Sequence, residues 1–149
     1  MAARKATDLI VIHCSATRPS QNIDAKEIDR WHRRDRGWSK IGYHYVIKRD
    51  GTLETGRKEN EIGAHAAGYN EKSVSVCWIG GVNEDTLGPE DNRTPEQKKT
   101  LEQTVRWLRT RYPGAKIVGH GDLPGVAKAC PSFKVADWLK EIGLHVWLG

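Results

Sequence analysis

The chain has no long apolar stretch, no internal repeat and no low-complexity segment, so neither a membrane-spanning helix nor wholesale disorder is supported. It has only three cysteines, an odd number, and its first residues lead into an apolar run that His13 interrupts too soon for a signal-peptide core. Those absences argue against a disulfide framework and for synthesis in the cytoplasm, leaving metal binding or catalysis as reasons to keep a cysteine. Cys14 and Cys77 read as small buried hydrophobes. No recognised nucleic-acid motif accompanies the basic residues Lys26, Arg30, Arg33, Arg34 and Arg36. They sit among acids on one expected helix and read as its solvated face, so no nucleic-acid partner is expected.

What is present is 149 residues, 38% hydrophobic and 29% charged, the size of one soluble domain that buries about two-thirds of its unfolded surface. A net charge of +5 and a pI near 9.2 point to an anionic partner: nucleic acid, an acidic membrane surface or a carboxylate-rich wall polymer. Charge alone does not choose among them.

Leu9 to Cys14 reads as a strand buried on both faces, at the sheet centre, because the run is short and rich in branched residues. Asp24 with Glu27 marks a helix start; Ile28 and Trp31 give its buried stripe and Gly37 its end. Tyr43 to Lys48 alternates as a strand that Tyr43 opens, and Asp50-Gly51 predicts a two-residue hairpin turn into Thr52-Leu53-Glu54. Ile62 to Asn70 has no helical period and reads as a loop lining something, or as a surface loop. Ser73 to Gly81 is a further strand. Thr94, Pro95 and Gln97 start a helix whose stripe is Leu101, Val105 and Leu108. Lys116 to Gly119 is a short strand feeding His120. Val135, Trp138, Leu139 and Ile142 recur at helical spacing, with Gly143 as cap. The order predicts an α/β fold, a central mixed sheet flanked by helices.

The chemistry concentrates in the loop Gly119 to Ser132. His120 and Cys130 are close enough in sequence for one loop to fold both onto a single ion, and His13, at the end of the first strand, is a third candidate. Three such ligands and one open position describe catalytic zinc. The same residues also fit a thiol hydrolase, with Cys130 as thiolate and His120 as base, and spacing does not separate the two.

Five stretches together, Ile12-His13-Cys14-Ser15-Ala16-Thr17, Gly42-Tyr43-His44, Lys48-Arg49-Asp50-Gly51-Thr52, His65-Ala66-Ala67-Gly68-Tyr69-Asn70 and Lys128-Ala129-Cys130-Pro131-Ser132, resemble zinc-dependent N-acetylmuramoyl-L-alanine amidases. That family includes phage endolysins, bacterial recycling amidases and animal peptidoglycan-recognition proteins. The resemblance runs in the family's order from about Thr7 to Trp138. It implies one catalytic domain over residues 1–149 with residues 1–6 as a short tail, and zinc held by His13, His120 and Cys130. It further implies that Tyr43 and Lys128 serve hydrolysis and, more weakly, that His65, Tyr69 and Asn70 line the muropeptide groove. Some phage members carry a second His after the second ligand; here Gly121 and Asp122 follow.

The implied reaction cleaves the amide between the lactyl group of N-acetylmuramic acid and the L-alanine of the stem peptide. An endolysin of this kind is made in the host cytoplasm and acts on periplasmic peptidoglycan, reached with a holin or from outside, and it is expected to be a monomer. Two rivals stand beside it. A non-catalytic peptidoglycan-binding module typically lacks a zinc ligand. A regulator of phage RNA polymerase would bind through an N-terminal tail, which is shorter here than in the phage relative that does so.

Overall fold

The computed structural model of the chain describes residues 3–144; the two residues before and the five after lie outside the described range. Five strands, β1 (Leu9–Cys14), β2 (Tyr45–Ile47), β3 (Leu53–Thr55), β4 (Ser73–Trp78) and β5 (Lys116–Gly119), form one sheet in the order β3-β2-β4-β1-β5. Strands β2, β4, β1 and β5 are parallel to their neighbours, and β3 alone runs antiparallel, against β2. The mixed sheet expected from sequence is present. β1 is internal, but the central strand is β4.

Alternation along the strands divides the sheet into two unlike faces. Ile10, Ile12, Val74, Val76, Trp78, Tyr45 and Ile47 pack with Leu101, Val105 and Leu108 of α2 (Pro95–Arg111) and with Val135, Trp138 and Leu139 of α3 (Val135–Glu141). Each of these large apolar side chains contributes roughly 1.5–3 kcal/mol by leaving water. The alternate positions carry Val11, His13, Ser73, Ser75 and Cys77, all buried and mostly small or polar. Helix α1 (Ala25–Arg36) covers part of this second face through Ile28, beside Val46 and Ile79. The polar residues cluster on this face, and the candidate site is built there.

Local signals explain the helix ends. Thr94 and Gln97 form a complete reciprocal cap at the start of α2. Asp24 caps α1 by accepting from the Glu27 amide, but the Glu27 carboxylate turns outward to Arg30 and Trp31, so only half of that cap forms. Arg30, Arg33 and Arg34 are exposed and paired with Glu27, Asp29 and Asp35, the solvated face read from sequence. At the end of α3, Gly143 at φ 73° donates to Lys140 and Leu144 to Leu139, closing a Schellman motif.

Two further expectations change. Tyr43 does not open β2: its carbonyl accepts from Arg57 two residues before the strand begins. The β2–β3 hairpin is not a two-residue turn. Lys48 pairs with Thr52 around a three-residue loop in which Gly51, at φ 88°, takes the left-handed position.

Candidate metal centre and active site

Parallel strands that end together bring their following residues to one edge, the usual place for a site in such sheets. The register Ile12↔Gly119 sets His13 of β1 next to His120, which follows β5, and His13 also pairs with Cys77 of β4. Cys130 reaches them on a loop stitched to this edge at several points. The Gly121 amide donates to the Cys130 carbonyl at 2.8 Å, the Trp78 indole donates to the Pro131 carbonyl at 3.1 Å, and the Ser132 hydroxyl donates to the Gly81 carbonyl at 2.8 Å. The glycines flanking His120 permit this approach. A Cβ on Gly121 would lie 2.2 Å from the Lys128 carbonyl oxygen, and one on Gly119 would lie 2.6 Å from Pro131 Cδ. The Cys130–Pro131 peptide bond is cis.

His13, His120 and Cys130 each present one ligand atom, and the three atoms lie within 4.8 Å of one another. Cys130 Sγ sits 3.9 Å from His13 Nδ1 and accepts from the Cys14 amide at 3.2 Å. Burial, reinforced by His65, His120 and Lys128, holds the His13 imidazole well below its usual pKa. Burial and then Lys128 lower His120 as well. Both rings are therefore neutral and keep a lone pair for a cation. Pairing with the Cys14 thiol, followed by burial, pushes Cys130 up, while the Cys130 S–H brings Cys14 down to about 7. Two neutral imidazoles and a thiol at this separation fit a borderline-soft metal ion of the tetrahedral N/S class with a fourth position open.

The Tyr43 ring lies 5.1 Å from that of His13 and 5.6 Å from that of His32. Burial, together with the nearby thiols of Cys77, Cys130 and Cys14, raises its phenol well above the ordinary range, so the hydroxyl stays protonated and can donate. Lys128 is exposed and lines a cleft of about 350 Å³ with Gly121, Asp122, Cys130 and Lys134. A larger concavity of about 760 Å³ lies over the charged side chains of α1, and none of the expected site residues lines it.

The three groove candidates are tied into the chain. His65 Nδ1 is 2.8 Å from His13 Nε2, and its Nε2 is 3.0 Å from Ser73 Oγ. Asn70 Oδ1 accepts from the amides of His65 and Ala66, both at 2.9 Å. The Tyr69 hydroxyl donates to the Pro124 carbonyl at 3.0 Å. Sequence reading did not single out Ser73, Trp78 or the role of Cys14 against Cys130. The alternation Ser73-Val74-Ser75-Val76-Cys77-Trp78 was the available signal, since it puts small polar groups on one face of a buried strand.

The family described as N-acetylmuramoyl-L-alanine amidase matches residues 3–133. The endolysin of Escherichia phage T7 is 46% identical over 139 residues, covering 93% of this chain and 89% of that protein. Peptidoglycan-recognition protein SC1a of Drosophila melanogaster is 37% identical over 144 residues, 93% of this chain and 74% of that one. Among solved structures, the N-acetylmuramoyl-L-alanine amidase LysC from Clostridium intestinale superimposes with a TM-score of 0.77 at 31% identity, over 93% of this chain and 86% of its own. Drosophila PGRP-LB, at 23% identity and a TM-score of 0.77 over 99% and 88%, shares the fold. A strand-end histidine, a Gly-His-Gly turn and a Cys-Pro loop that converge on one point, in a chain matched over nearly its whole length, make this protein a member of the N-acetylmuramoyl-L-alanine amidase family.

Proposed function

We propose that the chain is a zinc-dependent peptidoglycan amidase of the phage endolysin type, which hydrolyses the bond between N-acetylmuramic acid and L-alanine. The observation that carries the zinc reading is the convergence of His13, His120 and Cys130 within 4.8 Å. The thiol-hydrolase alternative needs a depressed cysteine pKa, and here pairing with Cys14 and burial push the Cys130 thiol the other way. Zinc bound by these three residues would acidify a water molecule and polarise the scissile carbonyl.

The chain's own groups complete the chemistry. Lys128, two residues before Cys130, carries its ammonium to the cleft rim, where it stabilises the oxyanion of the tetrahedral intermediate. Tyr43, kept protonated by burial, acts as a hydrogen-bond donor and not as a base. The segment His65–Asn70 forms a wall of the groove for the muropeptide, held in shape by the Asn70 and Tyr69 bonds.

We read residues 1–149 as one catalytic domain acting as a monomer. Of the expected tail, Ala3 bridges to Glu61, and the Arg4 guanidinium donates to the Glu59 and Glu61 carbonyls. No helix among the described residues is long and apolar enough to cross a membrane. We read the protein as made in the host cytoplasm and acting on periplasmic peptidoglycan, which it reaches with a holin or from outside. The test is product analysis: the purified protein should hold about one zinc and release stem peptides beginning at L-alanine. Cleaved glycan or cross-bridges with intact lactyl amides would overturn the reading.

A further inference from the structure

The polar face of the sheet contains a chain of side-chain hydrogen bonds whose direction is fixed at one end. The Ser73 hydroxyl donates to the Tyr69 carbonyl at 2.8 Å, and a carbonyl oxygen can only accept. Having given its one proton there, Ser73 Oγ must accept from His65 Nε2, 3.0 Å away. A neutral His65 protonated on Nε2 has a bare Nδ1, which lies 2.8 Å from His13 Nε2. His13 must then carry its proton on Nε2, and its Nδ1, the atom 3.9 Å from Cys130 Sγ, is left with a lone pair. The wrong tautomer would aim an N–H at the site.

We infer that His65 and Ser73 are positioning residues for the proposed metal centre: the Tyr69–Ser73–His65 relay fixes the tautomer and ring angle of His13, so that Nδ1 is the ligating atom. The proposal rests on the zinc reading above. The packing supports a built arrangement. Ser73 is fully buried, and the His13 and His65 rings meet edge to face, 86° between planes with centroids 4.9 Å apart. Gly63 gives His65 room, since a Cβ there would lie 2.8 Å from His65 Cδ2 and 2.9 Å from His44 Cε1. The role differs from groove lining, because both ring nitrogens of His65 are engaged within the protein. Outer partners that orient a ligating histidine are typically worth roughly 10- to 100-fold in metal affinity.

The test uses the whole chain and zinc alone, without substrate. Zinc affinity is measured by competition with a chromophoric chelator for the unchanged protein and for His65→Ala, His65→Gln and Ser73→Ala. In parallel, long-range nitrogen–proton NMR on the metal-free proteins reports the His13 tautomer. The expected results are a His13 proton on Nε2 in the unchanged protein and zinc binding weakened roughly 10- to 100-fold in His65→Ala. His65→Gln, whose amide oxygen can accept from His13, should recover much of that loss. Ser73→Ala, which frees His65 to reverse its proton, should mix the His13 tautomers. A Nε2 tautomer and zinc affinity unchanged in all three variants would overturn the positioning role while leaving the metal site standing. An unchanged protein that binds no zinc would overturn both. If His65→Ala does not fold, the His13 tautomer in Ser73→Ala decides the question.

Discussion

Gly121 donates its amide to the carbonyl of Cys130 at 2.8 Å, so one backbone hydrogen bond ties the residue after the second candidate ligand to the third. The bond exists because Gly121 has no Cβ: an added one would sit 2.2 Å from the Lys128 carbonyl oxygen, a backbone atom that cannot swing away. Gly121→Ala should therefore push the Lys128–Cys130 segment off the sheet edge. Most of the apolar core lies on the opposite face, with Cys130 packed only at its margin, and should stay intact. The expected outcome is a melting temperature within a few degrees of the parent, with zinc affinity and turnover both reduced at least tenfold. Calorimetry and chelator competition on the same preparation check it, and unchanged zinc affinity would mean that the loop tolerates the displacement.

This arrangement shows what was legible in the sequence and why. His13, His120 and Cys130 could be nominated because strand ends and Gly/Pro punctuation mark where a chain delivers side chains. The glycine at 121 has its physical reason in the Lys128 carbonyl, which a Cβ would meet at 2.2 Å. The relay from Ser73 to His13 joins segments whose adjacency depends on the β1–β4 register, and no local period reports that. The hairpin departs from the expected turn for a local reason: Asp50-Gly51 fits a two-residue turn equally well, and what decides is whether Lys48 or Arg49 makes the closing pair.

His44, the last residue of the Gly42-Tyr43-His44 motif, is not among the candidate ligands, and its ring lies 6.0 Å from that of His65. Its Nδ1 accepts from the Ser75 amide at 3.0 Å and its Nε2 donates to the Glu61 carbonyl at 2.8 Å. Burial is the main cause that lowers its pKa to about 4. Below pH ~6.5 the unfolded chain takes up a proton that folded His44 refuses until about pH 4, so stability is full above 6.5 and falls as pH drops through that window. A shift of this size corresponds to roughly 3 kcal/mol. Urea midpoints of the metal-free protein should fall from pH 7 to pH 4, and His44→Asn should flatten the slope even though it lowers stability at pH 7. His13 and His65, lowered in the same direction, should keep some slope in the variant.

Zinc affinity should rise with pH for a separate reason. The Cys130 thiol is pushed up by its pairing with Cys14 and by burial, so it is protonated in the metal-free protein and must release a proton when it binds a cation. Each unit of pH should then strengthen binding up to about tenfold below about pH 7, where the Cys14–Cys130 pair still holds both protons, and less above it, where the Cys14 thiolate can take up the proton that Cys130 releases. Cys130→Asp exchanges the thiol for a carboxylate that is ionised at neutral pH, so its affinity should depend far less on pH between 6 and 8. Calorimetric titration in buffers of different ionisation enthalpy counts the protons released. Equal counts for the two proteins would place the proton elsewhere.

Lys128 and Tyr43 can be separated from the metal ligands because neither belongs to the cluster of candidate ligand atoms. Lys128 is exposed and lines the cleft beside Cys130, as the proposed contact with the oxyanion requires. An interaction made only in the transition state should show in kcat and leave KM nearly unchanged. Lys128→Ala should thus lower kcat by about a hundred- to a thousandfold, the roughly 2.7–4 kcal/mol usual for one such donor. Tyr43→Phe keeps the ring 5.1 Å from His13 and removes only the hydroxyl, so a comparable loss would assign the effect to hydrogen-bond donation. The phenol is held well above its ordinary pKa, so the activity of the parent should show no upper limb near pH 10 from ionisation of Tyr43. Zinc content and melting temperature, measured beside turnover, should match the parent in both variants. Lost zinc or a lowered melting point would make these residues structural, and near-normal kcat would remove them from the chemistry.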